Sequence, residues 1–354
     1  MTNCLAVLLH QLDPYAIKLW EDGPVRWYGL SYLVGFLLAY LLVRRVTTAG
    51  VSTAGGQKVG DLVVTIAVGV VIGGRLGYVL FYQPSMLWTF SSGLPYWDLL
   101  AINKGGMASH GGIIGAIAAC FHFARRHGDR PSHILDLAAF GAPIGLCIGR
   151  FANFVNGELY GRACDPSLPW AVKFPQEMAH WDLVADPERR TALQRAVELV
   201  APGGGGDPKA WLPELLAAIQ RSNEQVIQIV APHITARHPS QVYQALLEGL
   251  AVFIILAVVW SRPRKPGVIG GLFLVSYGVM RVIGEIYRLP DEHIANMEAA
   301  QLHMSRGQLL SVPVIAAGLV MIWHFARKQS PLMGGWGKCR MADDLTDPTD
   351  PSDS

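Results

Sequence analysis

Seven stretches of this chain are apolar and almost free of charge, and they decide what it can fold into. They run over Trp27–Val43, Leu62–Tyr82, Met107–Ala124, Leu135–Phe151, Val242–Trp260, Val268–Ile286 and Leu309–Phe325. Each is near the length of about 20 residues that a helix needs to cross the hydrocarbon of a bilayer. The first and last contain no Lys, Arg, Asp or Glu. Composition agrees, with 51% hydrophobic and only 16% charged residues, where an average soluble domain has about 25% charged. That balance excludes disorder for most of the chain. A formal net charge of +2 gives no reason to expect a nucleic-acid partner. The pattern predicts an all-α polytopic membrane protein of about seven transmembrane helices.

Lys and Arg in the short connecting segments predict the orientation. After spans one, three, five and seven stand Arg44, Arg45 and Lys58; Arg125, Arg126 and Arg130; Arg262, Arg264 and Lys265; and Arg327, Lys328, Lys338 and Arg340. The opposite side has Lys18, Arg26, Lys104, Arg288 and Arg306. The richer side is cytoplasmic, which puts the N-terminus outside and the C-terminus inside. Met1–His10 lacks the basic start of a signal peptide, and its apolar run Leu5–Leu9 is short.

Residues 1–328 read as one integral-membrane domain. Between spans four and five, the long segment of about 161–237 is expected to form a small external cap. It has helical stretches at Glu188–Val200 and Trp211–Val230 around the flexible Gly203–Gly206. Residues 329–354 carry Asp343, Asp344, Asp347, Asp350 and Asp353 among Pro and Ser, and read as a disordered cytoplasmic tail. Trp88, Tyr96 and Trp97 suit an interfacial aromatic belt. The five cysteines, Cys4, Cys120, Cys147, Cys164 and Cys339, show no CxxC spacing, so neither a disulfide framework nor a zinc site is expected. Glycine recurs every fourth residue at Gly69, Gly73 and Gly77 and again at Gly141, Gly145 and Gly149. Both series predict close helix packing.

Charge inside a bilayer is expensive and usually marks function. The residues concerned are Arg75, His110, Arg150, Glu158, Glu248, Arg281 and Glu285. Arg281 and Glu285, four apart, share a helical face. Ion pairs that lock helices together explain Arg75 and Glu248 as well as a site does, and a lone histidine such as His110 is more often packed than catalytic. Together the groups suggest a polar cavity opening outward. Arginine binds phosphate bidentately, which suits a phospholipid head group. There is no HExxH, GxSxG, Walker or aspartate-rich metal motif. On residues alone, a phospholipid-handling enzyme and an anion transporter both remain open.

Gly149–Gly161 reads GRFANFVNGELYG. It closely resembles the signature of the phosphatidylglycerol–prolipoprotein diacylglyceryl transferase family, G-R-x-G-N-F-x-N-x-E-x-x-G, with Ala152 where a glycine is usual. Six further family-like blocks stand in order. They are WYGLSYLVGF from Trp27, GGRLGYVLFY from Gly73, GGMASHGGIIG from Gly105, RHPSQVYQALLEG from Arg237, GLFLVSYGVMRVIGEIYRLPD from Gly271 and SRGQLLSVP from Ser305. The segment 181–237 looks longer than the family's usual one.

The resemblance implies a bacterial inner-membrane enzyme of lipoprotein biosynthesis. It would move sn-1,2-diacylglyceryl from phosphatidylglycerol to the lipobox cysteine thiol of a prolipoprotein signal peptide and release glycerol 1-phosphate. It implies no cofactor and no metal. Arg150 and Asn153 would hold the phosphate and glycerol of the head group. Glu158 would orient an arginine or bind a hydroxyl. Arg281 would be the second phosphate ligand, with Glu285 as its partner. His110 and Tyr28 are the two candidates for moving the thiol proton. Gly161 would permit a turn out of the membrane, or simply end the helix. The different class kept beside this is a head-group or anion transporter using the same cavity, although the chain shows no internal repeat of the kind transporters often carry.

Overall fold

The computed structural model describes residues 7–18, 24–93, 95–101, 105–289 and 305–337. Cys4, Lys104, Cys339 and the acidic residues from Asp343 onward lie outside them.

The chain is mainly helical. The helices are α1 (Trp27–Ala49), α2 (Val59–Phe81), α3 (Ser109–His127), α4 (Pro131–Asn156), α5 (Pro187–Val200), α6 (Leu212–Gln220), α7 (Glu224–Val230), α8 (Ser240–Trp260), α9 (Val268–Glu285) and α10 (Arg306–Arg327). Among the described residues, six helices are long and apolar enough to cross a membrane: α1, α2 with its leading turn from Gly56, α4, α8, α9 and α10. The remaining predicted span, Met107–Ala124, does form a helix. It is more polar, opening on Ser109 and His110 and closing on Arg125, Arg126 and His127, and it falls short of that measure.

Two compact units divide the chain. One comprises residues 1–35, 145–251 and 278–313, and the other 36–144, 252–277 and 314–354. The second contains α2 and α3 whole. Their seam is glycine against glycine: a Cβ on Gly73 would collide with the carbonyl oxygen of Gly111, and one on Gly115 with that of Gly69. Backbone approach of this kind replaces side-chain interdigitation where lipid offers no hydrophobic drive. The second glycine series behaves differently. A Cβ on Gly141 would only touch Ala39 Cβ and Val43 Cγ2, each at 3.4 Å, and Cβ atoms on Gly145 and Gly149 would meet nothing within 4 Å, so no backbone seam like that of the first series forms at these positions.

Arg75, also in the second unit, is 4% exposed. Its guanidinium donates to the carbonyls of Leu99 (2.7 Å), Gly105 (2.6 Å), Gly106 (3.0 Å) and Asp98 (2.5 Å). A charge held by loop carbonyls fixes that loop in place, a role different from the ion pair between helices expected from the sequence. Asp136 of α4 accepts from the backbone N–H of Gly267 and Gly270, each at 2.7 Å, and so caps the start of α9. Residues 333 and 334, within the stretch read as tail, pair with Arg264 and Val51. Trp88 and Tyr96 are exposed, and Trp97 stacks on Phe90.

In the first unit, the long segment between α4 and α8 has its own core: Met178, Trp181, Leu193, Ala196, Val197, Leu215, Ile219, Val226, Val230 and Ile234. The expected helix over 211–230 is two helices, because Ser222 adopts a φ of 58° and Asn223 caps α7, accepting from Val226 N–H at 3.3 Å. Buried Glu177 accepts from Arg237 Nε (2.6 Å), Thr235 N–H (2.8 Å) and Trp181 Nε1 (3.2 Å). Short strands Leu8–Leu9, Val172–Lys173 and Ala236–Arg237 form one small sheet, parallel then antiparallel. A hairpin pairs Tyr15–Lys18 with Pro24–Arg26.

Candidate active site

The end of α4 shapes one wall of the site. Gly157 takes φ 68°, which a glycine does without steric cost. Its N–H donates to Phe154 O at 2.9 Å, and that of Glu158 to Asn153 O at 3.1 Å. Those two bonds make a Schellman end, with glycine at the left-handed position. The chain therefore doubles back, and the Glu158 carboxylate lands on Asn153, whose Nδ2 donates to it at 2.6 Å. Leu159 also has a positive φ, 57°. The turn is clamped from α8, where Ser240 Oγ donates to Leu159 O at 2.8 Å and Gln241 Nε2 to Glu158 O at 2.6 Å. Ala152, the departure from the signature, is buried.

Gly161 makes no turn. Its N–H donates to His238 O at 3.0 Å, and it bridges to Arg288. A Cβ there would lie 2.5 Å from His238 O and 2.6 Å from Tyr287 O. The glycine is needed because two backbone segments close on it, which neither sequence-based reading of this position anticipated.

The charged centre is built on α8. Residues Ala245–Ala251 of that helix are π-helical, a form frequent at functional sites. Within it, Gly249 comes so close to α4 that an added Cβ would lie 2.5 Å from Cys147 Cβ. The neighbouring Glu248 is fully buried. Its Oε2 accepts from Arg150 Nη2 at 3.1 Å and its Oε1 from Arg281 Nη1 at 3.0 Å. Arg281 Nη2 also pairs with Glu285 Oε2 at 3.3 Å, and Arg288 Nη1 approaches the same oxygen at 3.9 Å. Three guanidinium groups thus meet two carboxylates. Behind Glu285, the first turn of α10 comes so near that a Cβ at Gly307 would lie 2.6 Å from Glu285 Cδ, and a side chain there would push that carboxylate aside. That turn is fixed by a capping box, with Ser305 N–H donating to Gln308 Oε1 at 3.0 Å and Gln308 N–H to Ser305 Oγ at 3.2 Å.

The structure therefore brings Arg150, Arg281 and Glu285 together and sets Asn153 and Glu158 as a pair on the α4 turn. Glu158 orients Asn153, and the carboxylate that orients the arginines is Glu248. The sequence leaves Glu248 open between an ion pair and a site, and the structure shows it ion-paired with two of the candidate arginines. Tyr28 begins α1 in the same unit, and its hydroxyl accepts from Tyr32 at 3.2 Å. His110 is exposed in the first turn of α3 and belongs to the second unit.

Residues 14–324 match the family model described as prolipoprotein diacylglyceryl transferase. The chain belongs to that family. It is 41% identical over 345 residues to the phosphatidylglycerol–prolipoprotein diacylglyceryl transferase of Bdellovibrio bacteriovorus, covering 93% of this chain and 97% of the relative. The enzyme of the same name from Ralstonia pickettii is 37% identical, covering 91% and 96%. That from Methylibium petroleiphilum is 38% identical, covering 92% and 100%.

Proposed function

We propose that this family member transfers the sn-1,2-diacylglyceryl group of phosphatidylglycerol to the lipobox cysteine of prolipoproteins, the first step of lipoprotein maturation. The observation that carries the reading is the joint hold of Glu248 on Arg150 and Arg281. A guanidinium has five donors in a planar fork. Glu248 takes one from each arginine and fixes both planes, and Arg150 keeps donors to offer phosphate oxygens. With three cations against two carboxylates, the centre favours a phosphate diester and gains as that phosphate leaves.

In the reaction, the cysteine thiolate attacks the sn-3 carbon of the diacylglyceryl group. A carbon–sulfur bond forms, the carbon–oxygen bond to phosphate breaks, and glycerol 1-phosphate departs with the electron pair. Arg150 and Arg281 stabilise the leaving phosphate, Glu285 positions Arg281, and Asn153 with Glu158 meets the head group. The thiol proton goes to His110 or Tyr28. In the proposed topology α3 is a seventh span, residues 161–237 form a periplasmic cap, and the C-terminus faces the cytoplasm of the bacterial inner membrane.

Transfer of label from phosphatidylglycerol to a lipobox peptide, in detergent and without any gradient, tests the reaction. A thioether product is expected. Well-folded protein that makes none would favour the transporter reading. Cysteines introduced at positions 203 and 265 test the orientation: an impermeant reagent on intact spheroplasts should label the first and spare the second.

A further inference from the structure

Gln244 lies on α8, one turn before Glu248, and is fully buried. Neither its Nε2 nor its Oε1 has a hydrogen-bond partner among the described residues. A buried primary amide left unpaired at both ends is costly, and such groups call for a specific explanation. The neighbouring amide, Gln241, has its Nε2 committed to the signature turn, and its Oε1 alone has no partner among the described residues. Gln244 therefore stands between two committed positions on one helix, the hold on Glu158 and the hold on the arginines.

Its surroundings say what it faces. Gly284 sits between Arg281 and Glu285 on α9. A Cβ built on it would lie 3.5 Å from Gln244 Cγ and 3.7 Å from Glu248 Oε1. Gln244 and Glu248 thus pass the same bare point of α9, beside the arginine proposed to hold phosphate. Gln244 and Glu248 stand four residues apart along α8. A group seated on Arg281 would extend to Gln244 if it carried a short polar arm beyond its phosphate.

We infer that Gln244 is a specificity-determining residue that reads a hydroxyl of the lipid's glycerol head group, through Nε2 as donor and Oε1 as acceptor. The inference rests on the phosphate-binding role proposed for Arg150 and Arg281. A hydroxyl both donates and accepts, and so satisfies both ends of the amide. An ammonium head group only donates and would leave Nε2 unpaired. An alkyl head group would leave both ends unpaired. A site built to hydrogen-bond a hydroxyl rejects the analogue that lacks it much more strongly than an apolar pocket rejects a change of size.

The test uses the full-length protein in detergent with a lipobox peptide and two donors. One is phosphatidylglycerol, and the other is phosphatidylpropanol, the same phosphodiester with neither head-group hydroxyl. Wild type is expected to favour phosphatidylglycerol in kcat/KM by at least about tenfold. Gln244→Leu and the unbranched Gln244→Met should each bring that preference down by about tenfold, towards parity. The preference is a ratio within one preparation, so a smaller folded fraction does not alter it. A ratio unchanged in both variants, or a wild type indifferent to the hydroxyls, would overturn the assignment and leave the transfer reaction standing. Transfer by wild type from neither donor would instead overturn the reaction, and the assignment with it.

Discussion

Arg150 and Arg281 hold opposite oxygens of one carboxylate, that of Glu248, at 3.1 and 3.0 Å. Like charges so placed are tolerable only while the carboxylate stands between them. Removing one partner of a buried, hydrogen-bonded charge set costs about 3–5 kcal/mol. Glu248→Gln should therefore reduce both the thermal midpoint in detergent and, by about 10²-fold or more, kcat/KM for transfer. Near-normal kinetics would mean that something else fixes the arginines.

Arg150→Lys keeps the charge and loses the fork. Lysine is a point charge with three donors on a flexible stem. Activity should fall by roughly 2–4 kcal/mol of barrier, while the melting curve stays close to wild type. Turnover within a few-fold of wild type would remove Arg150 from the phosphate site.

The proton acceptor can be told by pH. At pH 7 a free cysteine is only a few per cent thiolate, and a base contributes about 10²–10⁴-fold. If His110 is the base, His110→Gln should be defective at neutral pH and recover partly as pH rises through the thiol's pKa of about 8.5. If Tyr28 only hydrogen-bonds the lipid, Tyr28→Phe should be impaired by the same factor at every pH. Full activity of His110→Gln at pH 7 would eliminate His110.

His10 ties the N-terminal segment to α4. Its Nε2 lies 2.7 Å from Phe154 O, its ring packs on Phe154 and Phe174, and burial lowers its pKa. The neutral ring is thus the folded form. Its contribution to stability is present above the unfolded pKa of about 6.5 and is lost as pH falls through the lowered folded value. Thermal unfolding followed from pH 7.5 to pH 5 should show a falling midpoint, and His10→Gln should flatten that fall. Equal slopes for both proteins would absolve His10.

Gly73 and Gly145, one from each glycine series, should respond differently to a methyl group. Gly73→Ala drives a Cβ into the backbone of Gly111, and overpacking typically costs about 1–3 kcal/mol. Gly145→Ala enters open space and should leave the melting temperature within experimental scatter. Equal effects would contradict the separate roles of the two series.

These contrasts also show where sequence stops informing. Hydropathy exposes a span because every residue of it meets the same solvent, and six of the seven predicted spans have the length and apolarity to cross. The glycine series look identical in sequence and differ only in what faces them, and a one-dimensional pattern carries no record of that. Arg281 and Glu285 were legible as a pair because four residues make one turn. Glu248 was not, since both its partners lie on other helices. A signal was present all the same. Gln241, Gln244 and Glu248 put three polar groups at spacings of three and four within an apolar span, beside two arginines that needed an anion. Gly161 was misread because a close approach and a turn call for the same residue.

The π-helical turn of α8 has a consequence for how this protein tolerates insertion and deletion. A π-turn holds one residue more than the α-turn it interrupts. Deleting a single residue within Ala245–Ala251 would let the helix close up as a continuous α-helix, apolar and long enough to stay in the bilayer. The residue lost there is the extra one, so the helix on either side would keep its facing, whereas the same deletion in a regular α-turn would rotate everything beyond it by about 100°. Gln241, ahead of the turn, could still grip Glu158 O. Glu248 lies on the turn itself, and without the wide backbone it would no longer be set between Arg150 and Arg281. The span would survive such a loss, and the junction of the two arginines would not.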